Sequence, residues 1–482
     1  MTRTLIFALL ALPNLRAGDA IDRLASEAQR AWKAPAIGVC IVRTGQPTVI
    51  RTWGVRELGK PEPATVDDFF PIASCTKAFT TALIARLVDE RRMEWDEPLR
   101  KHLPEFHLSD AEADAQVTLR DLLTHRTGVN GHDLLWYRNP WSNAELLKRM
   151  QKLPLQEPFR KTYQYSTLMY LAAGQAAANA AGQPWQTAVS ERLLKPLGMK
   201  NVAFNTVEPA FKDATKLIGH RYSKAGAVEV MPRYEITEPN PAGSINLSLR
   251  DLEPWLKLHL QGNVSAVSAA NLGVTHTPQI AIPMVPGVQR QNPETVQLEY
   301  GMGWIVGDYR GVKTLAHGGI IDGFRTLIMI VPSRGLAFAI VANLHETRLN
   351  AALANALLDH HLGLPAKDWN AIHLKVIDAE KTEVAAAAVR LAAMKRELKP
   401  RALPLADYAG SYTNAAYGTA KVVVADGVLH LHWSSFQTPL DYFGNDAFSA
   451  ASGMLESLII EFQSLQDKVR LFRFQGQIFT RE

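Results

Sequence analysis

Residues 71–80 read PIASCTKAFT and run without a break into TALIARLVDERR. No charged residue falls between Ala78 and Ala85, and Arg86 is the first after Lys77. The run has helical length and is apolar nearly all the way round, which predicts a buried helix. Ser74 stands where an N-cap or first-turn residue belongs. Lys77 then falls three residues later, inside the dry part. An unpaired ammonium buried there costs several kcal/mol, so its place asks for a chemical reason.

A serine hydroxyl is a poor nucleophile until a base takes its proton. At i, i+3 spacing Lys77 shares a helix face with Ser74, and burial lowers a lysine's pKa toward that of a general base. The helix N-terminus adds partial positive charge where an oxyanion would form, and the Ser74 N–H can point at it. Two plainer readings stay open. Ser-x-x-Lys also arises by chance, and a lysine can snorkel from a helix to solvent. Cys75 is turned about 100° from Ser74 on a helix and reads as packing. No Gly-x-Ser-x-Gly elbow occurs, nor any His-Glu-x-x-His or Cys-x-x-Cys zinc signature.

Two further stretches carry chemistry. YQYST (163–167) follows the turn residues Glu157 and Pro158 and opens a helix. A tyrosine there can lean into a cleft, where a nearby ammonium would stabilise its phenolate for proton shuttling. The alternative is a pair of packing tyrosines. LAHGGIIDGF (315–324) is a strand with adjacent glycines, which let another backbone approach closely. His317 in it is placed for a substrate carboxylate or leaving group, or is structural. His430 and His432 share a strand face without carboxylate or cysteine partners nearby, His360 and His361 suit a helix C-terminus, and Trp304 lines a cleft or fills a core.

Composition sets the outer limits. The chain has 482 residues, enough for two or three domains, and its net charge of +5 comes from 52 basic against 47 acidic residues with no Lys/Arg run. Nucleic acid is therefore a poor partner. Both cysteines, Cys40 and Cys75, sit in apolar stretches and read as free thiols. The N-terminus, MTRTLIFALLALPNLRAGDA, has a basic start, a short apolar core and Ala17 before a cleavage point. It predicts a signal peptide over 1–17 and a secreted or periplasmic protein; a buried N-terminal segment is the alternative. It is too short for a membrane span of about 20 residues.

A helix is expected over 18–33, a strand over 35–46, a short helix at 117–124, an apolar helix at 166–183 with Gly182 as its stop, and another after Ser248. Strands return at 300–309, 313–319, 326–332 and 336–343. Residues 262–298 read as a long loop that rims a site. An alanine-rich helix over 379–398 and the prolines of KPRALPL (399–405) form a helical linker, 366–403. Short strands over 404–482 predict a small all-β domain.

Together the three stretches resemble the serine β-lactamase and penicillin-binding-protein family, in its branch of class C β-lactamases, DD-peptidases, D-aminopeptidases and β-lactamase-like esterases. Ser-x-x-Lys falls on Ser74–Lys77, the Tyr-x-Asn element on Tyr165-Ser166-Thr167, and the Lys/His-x-Gly strand on His317-Gly318-Gly319. LRDLLTHRTG, MEWDEPLRKHLPEF, PAGSINLSLRDL and YGMGW add to the likeness, which covers roughly 20–360 in family order. LADYAGSYTNAAYG begins a segment similar to an appended lipocalin-like barrel. The resemblance implies an α/β (α+β) hydrolase domain over 18–365, an antiparallel sheet flanked by helices with an all-helical region, and a β-barrel over 404–482.

It also implies roles. Ser74 would be acylated, and Lys77 and Tyr165 would share the base work. The N–H groups of Ser74 and Ile320 would form the oxyanion hole. His317, Gly318, Gly319 and Thr167 would meet the substrate. No metal and no organic cofactor is implied. Two departures stand out. Thr167 replaces an asparagine that offers an amide donor and acceptor, and His317 replaces a lysine and is neutral at pH 7. The expectation is therefore a D-amino-acid peptidase, carboxypeptidase or esterase acting on a small molecule or short peptide, ahead of a class C-like β-lactamase. A non-catalytic binding protein on the same fold is the competing class, and a barrel acting as lid or ligand module is a third reading.

Overall fold

The computed structural model describes residues 17–263, 265–395, 401 and 403–482. The leader expected over 1–17 lies outside them except for Ala17, where the first helix begins. Helices α1 (Ala17–Trp32), α2 (Thr76–Asp89), α3 (Leu119–Leu123), α4 (Thr167–Ala181), α5 (Leu249–Gln261), α6 (Leu349–Leu362) and α7 (Trp369–Lys395) surround a central sheet. In α1, Ile21, Ala25, Ala28 and Trp32 are buried, the row that a 3.6-residue period puts on one face. α3 starts on a capping box between Thr118 and Asp121. α4 stops at Gly182, which takes the left-handed conformation at φ +70°.

The sheet is built from strands β1 (Ala36–Arg43), β2 (Val49–Gly54), β3 (Ile280–Ile282), β4 (Leu298–Tyr300), β5 (Ile305–Tyr309), β6 (Val312–Ile321), β7 (Phe324–Val331) and β8 (Leu336–Ala342). Their order is β2-β1-β8-β7-β6-β5-β4-β3, antiparallel throughout. β1 pairs with β8 from Ile37 opposite Ala342 to Arg43 opposite Leu336, so distant ends of the domain meet in adjacent strands. Val39, Ile41, Phe338 and Ile340 face α1 and α6, while Cys40, Val42, Ala337 and Ala339 face the helical region around α2 and α4. Burial on both faces explains why LAFAIVA is continuously apolar instead of alternating.

Three expectations change. Residues 262–298 are not a structureless loop: they hold helices Ala269–Thr275 and Pro286–Gln291 and strand β3. The strand read over 300–309 is broken, because Gly303 at φ +79° turns the chain between β4 and β5. A side chain at Gly303 would press within 3.0 Å of Ala78 Cα in α2, so the turn sits directly on that helix. α7 starts well before the alanine-rich run, and its first turns pack on the hydrolase domain: Trp369 is buried and donates from Nε1 to Asp359 at 2.7 Å.

Between Gly410 and Arg481 eight strands pair in sequence order and close into an antiparallel barrel, with Tyr412 opposite Arg481 and Thr413 opposite Thr480. Aromatic side chains fill it: Tyr412 meets Phe472 at 4.9 Å and Phe472 stacks on Phe479 at 4.7 Å between ring centres. The barrel rests on residues 132–149. Tyr417 Oη hydrogen-bonds His132 Nδ1 at 2.9 Å, Arg149 Nη1 donates to Ala416 O at 2.9 Å, and Trp433 meets Trp141 edge-on at 6.2 Å.

Trp433 is fully buried, lies flat against Tyr417 and Phe436, and donates from Nε1 to Tyr417 O at 2.8 Å. Trp433→Ala is expected to destabilise the barrel by about 3–5 kcal/mol, seen as an early transition in urea. An unshifted unfolding curve would contradict this packing.

Candidate active site

Ser74 does not lie in the long helix itself. Ala73–Cys75 form a 3₁₀ turn, and α2 begins at Thr76. The turn is fixed at both ends. Phe70–Pro71 pairs with Leu247 and Asn246, and Ile72 N donates to Ile245 O at 3.0 Å. Thr80 Oγ1 donates to Pro241 O at 2.6 Å, and Ile245 N to Thr76 Oγ1 at 3.2 Å. The PAGSIN segment is thus the strap that holds the start of α2. Ala73 sits at φ +46°, in the left-handed region that non-glycine residues seldom adopt. The backbone just before the nucleophile is therefore held in a strained turn.

β6 lies against this turn. A side chain at Gly319 would place its Cβ 2.1 Å from Ile72 O and 3.2 Å from Ala73 Cβ. Only glycine allows that approach. Gly319→Ala is expected to push the Ser74 turn away from β6. It should lower kcat/KM about 100-fold, the effect of an ångström of misplacement, and stability by about 1–3 kcal/mol. Kinetics beside thermal melts check this; a variant with unchanged kcat/KM would show that the approach is not needed. Cys75 donates from Sγ to His317 O at 3.2 Å, and burial pushes its thiol up to about 12, so it packs as expected and stays protonated. Cys40 and Cys75 are both free and buried.

Lys77 does not snorkel. It is fully buried, with Nζ 3.2 Å from Ser74 Oγ and 3.0 Å from Ala242 O. The rings of Tyr165 and Tyr170 lie 4.9 and 5.6 Å from Nζ. Burial brings its pKa down to about 7, against the opposing pull of the Asp133 carboxylate. Burial thus makes this amine far easier to deprotonate than an ordinary lysine, and it is in contact with the serine hydroxyl.

Tyr165 comes from the loop before α4 and hydrogen-bonds Ser74. Its phenol is pushed well above the ordinary tyrosine range, first by burial and then by Tyr163, Tyr170 and Asp133, with the Ser74 hydrogen bond pulling the other way. The phenolate expected from the nearby ammonium is therefore not favoured, because desolvation outweighs the charge. Tyr165 offers a hydroxyl instead.

At His317 burial deepens the neutrality expected of a histidine. The residue is 3 % exposed, and burial followed by the charge of Lys77 brings its pKa down to about 3. Its Nδ1 faces Gly318 O at 2.8 Å, so Nδ1 carries the proton, and Nε2 accepts from Tyr300 Oη at 3.1 Å. Neutral, with both nitrogens engaged, it has neither charge nor free donor for a substrate carboxylate. Thr167 opens α4, is 5 % exposed and does not line the cavity in front of Ser74. Trp304 belongs to the core, against His259 and His276.

Ser74, Tyr165, His317, Gly318, Gly319 and Ile320 all line one cavity of about 590 Å³. Ile320 is 48 % exposed on its wall. β6 is paired with β5 only as far as Ala316, opposite Ile305. From His317 to Ile321 its outer edge has no strand neighbour among the described residues, and this edge faces the cavity.

His125 joins the site from the end of α3. It is buried at φ +57°, accepts from Ser166 N through Nδ1 at 3.1 Å, and lies among Tyr165, Tyr170 and Tyr300 at 4.4, 5.1 and 4.7 Å. With Tyr300 it forms the aromatic bed that dries Lys77 and aims Tyr165. Both lie in stretches of the family likeness, LRDLLTHRTG and YGMGW, but no spacing rule links them to Ser74. Among the described residues no cluster of three His, Cys, Asp or Glu side chains could hold a metal, and no helix is long and apolar enough to cross a membrane.

Comparison with known proteins agrees with this geometry. The beta-lactamase family model matches residues 21–364, and a domain of unknown function, DUF3471, matches 395–480. The unguisins hydrolase ungD of Aspergillus violaceofuscus is 28 % identical over 456 residues, spanning 86 % of this chain and 78 % of its own. The octameric penicillin-binding protein homologue of Pyrococcus abyssi superposes with a TM-score of 0.65 at 20 % identity, covering 97 % of this chain and all of its own. The D-amino acid amidase of Ochrobactrum anthropi SV3 superposes at 0.59 with 21 % identity, over 76 % of this chain and 99 % of its own. At such identities the structures speak for the fold. The family match over most of the chain, on a sheet and a buried Ser–Lys pair of this geometry, places the protein in the beta-lactamase family of serine hydrolases.

Proposed function

We propose that this protein hydrolyses small amides and esters, above all derivatives of D-amino acids, through an acyl-enzyme on Ser74. The observation that carries this is the 3.2 Å contact between Ser74 Oγ and a buried Lys77 Nζ whose pKa is about 7. Neutral Lys77 takes the hydroxyl proton as Oγ bonds to the substrate carbonyl carbon. The N–H groups of Ser74 and Ile320 hold the oxyanion. The C–N or C–O bond then breaks, and the leaving group receives a proton through the Tyr165 hydroxyl. Water repeats the sequence on the acyl-enzyme: its oxygen bonds to the acyl carbon, its proton leaves through Lys77, and Ser74 Oγ is protonated as it departs.

The substrate preference rests on His317. A neutral ring with both nitrogens engaged gives no grip on a carboxylate beside the scissile bond. That weakens the carboxypeptidase and β-lactamase readings and favours amides and esters without that group. The likeness to a D-amino acid amidase and a D-stereospecific amidohydrolase supports the same class. Export by the N-terminal leader belongs to this reading, and sequencing the mature N-terminus from a secreting host tests it.

The deciding experiment is intact-mass analysis after fluorophosphonate treatment, followed by turnover of D- and L-phenylalanine amide, a phenyl ester and benzylpenicillin. One adduct on the peptide holding Ser74, with the D-amide or ester turned over faster than penicillin, is expected. No adduct would remove the hydrolase reading. Penicillin as the best substrate would restore the β-lactamase one.

A further inference from the structure

The cavity at Ser74 does not end at the cleft. It continues round the free edge of β6 to the opposite face of the sheet, where α6 lies. Register makes the path clear. Opposite residues of neighbouring strands share a face, and Ile320, Gly318 and Ala316 lie opposite Arg325, Leu327 and Met329. Leu327 and Met329 belong to the apolar layer that includes α6, whereas Leu315 and Ile328 belong to the layer around α2. Because β5 leaves β6 after Ala316, an opening joins the two faces beside His317–Ile321.

Behind the sheet lies a trough. Its floor carries small residues, Gly318, Ala316 and Gly307, where a sheet packed against a helix ordinarily carries bulky ones. Ala351, Ala354 and Leu358 form the α6 wall, a row that helical spacing brings to one face. Segment 291–295 forms the other wall and is held by Glu294, which takes a hydrogen bond from Arg310 Nε at 3.1 Å and pairs with Lys367. At about 3.3 Å per residue the floor from Ile320 to Thr314 is about 20 Å long. The mouth is polar and already engaged: Arg325 Nε donates to His345 O at 2.7 Å, and Arg348 pairs with Glu380 at 2.6 Å.

We infer that this trough is a subsite for an apolar arm on the acyl side of the substrate, an aliphatic or aromatic chain that passes Ile320 and lies along β6 behind the sheet. The inference rests on the acyl-enzyme reading, which places the acyl carbon beside Ile320. The occupant follows from continuity. The trough shares one cavity with Ser74, the whole is within the usual size of a small-ligand site, and its sheet and α6 sides are apolar at Leu327, Met329, Ala351, Ala354 and Leu358, with Asn292, Asp308 and Asn355 at the polar margin. The enzyme is thereby assigned to acyl groups larger than a single small amino acid.

The test is kinetics of 4-nitrophenyl esters with straight acyl chains from acetyl to decanoyl, on the full chain, on Ala351→Trp and on Met329→Ala. In the parent, kcat/KM should rise about three- to fourfold per added methylene until the trough is full. Ala351→Trp should collapse the decanoyl-to-acetyl ratio, and Met329→Ala should shift the best chain to greater length. A flat series in the parent, or a rising one that neither variant alters, overturns the subsite while leaving Ser74 chemistry standing. Calorimetric binding of N-methyldecanamide to Ser74→Ala supplies a readout that needs no turnover. Binding that Ala351→Trp weakens at least tenfold supports the trough, and equal binding by both overturns it. Loss of all ester turnover with this binding intact would instead count against the acyl-enzyme reading.

Discussion

Ser74→Ala is expected to lower kcat on the preferred amide or ester by roughly 10⁴- to 10⁶-fold and to abolish covalent labelling, with the fold intact. On the proposed acyl-enzyme route the loss is large because Oγ is the atom that becomes bonded to substrate, and removing it leaves only positioning and the oxyanion donors. The fold survives because the change deletes one half-buried hydroxyl. Lys77 keeps its bond to Ala242 O at 3.0 Å, and the Ser74 turn is held by backbone contacts through Ile72 and Cys75. A stability change within about 1 kcal/mol is expected. The check is single-turnover kinetics with fluorophosphonate labelling and a urea melt on the same preparation. Labelling of the variant at the parent rate would place the nucleophile elsewhere.

What the sequence made legible is what local pattern encodes. A lysine inside an uncharged run marked the Ser74–Lys77 pair, and its burial is complete. Paired glycines in LAHGGIIDGF marked a close backbone approach, and Gly319 meets Ile72 as that pattern requires. Short strands at regular spacing marked an all-β domain, and only the likeness of LADYAGSYTNAAYG to an appended lipocalin-like barrel pointed to its closure. Harder to read were properties set by several distant segments at once. Tyr165 was expected as a phenolate because one ammonium was in view; Tyr163, Tyr170 and burial enter only through tertiary packing and reverse the sign. His317 reads as a substrate ligand until Tyr300 and Gly318 O occupy both its nitrogens. The trough behind β6 depends on which strands carry Gly307, Ala316 and Gly318 and where β5 parts from β6. Register decides that, and a slip of one residue would turn every one of those positions to the other face.

Lys77→Met separates catalysis from stability, and the two should move in opposite directions. On the proposed mechanism, removing the amine takes from Ser74 the group that accepts its proton, and kcat/KM should fall about 10²- to 10⁴-fold. The parent's kcat/KM should drop tenfold per pH unit below about 7, because protonated Lys77 cannot accept that proton. In Lys77→Met this acid limb should vanish from whatever activity remains. Stability runs the other way. The unfolded lysine titrates near its ordinary 10.5 and the folded one near 7. Below pH 7 the folded state must hold a buried charge, or do without a proton that the unfolded chain keeps. The full cost is present there, about 5 kcal/mol, because each tenfold weakening of proton binding is worth about 1.4 kcal/mol. Between pH 7 and 10.5 the unfolded chain binds the extra proton, so parent stability rises with pH and the cost fades. Methionine carries no such cost. It forfeits the bonds to Ser74 Oγ and Ala242 O, which offset the gain by about 1–3 kcal/mol. Urea unfolding across pH 6–10 should therefore find Lys77→Met more stable than the parent by a few kcal/mol at neutral pH, with the advantage shrinking toward pH 10. If the variant is equally or less stable at pH 7 and keeps the acid limb, the lysine is charged and paired in the folded protein and the base must be sought elsewhere. The dry setting that would make this lysine a base is the setting that makes it a burden on the fold, which is why a lysine at the head of the uncharged run KAFTTALIA asks for a chemical reason.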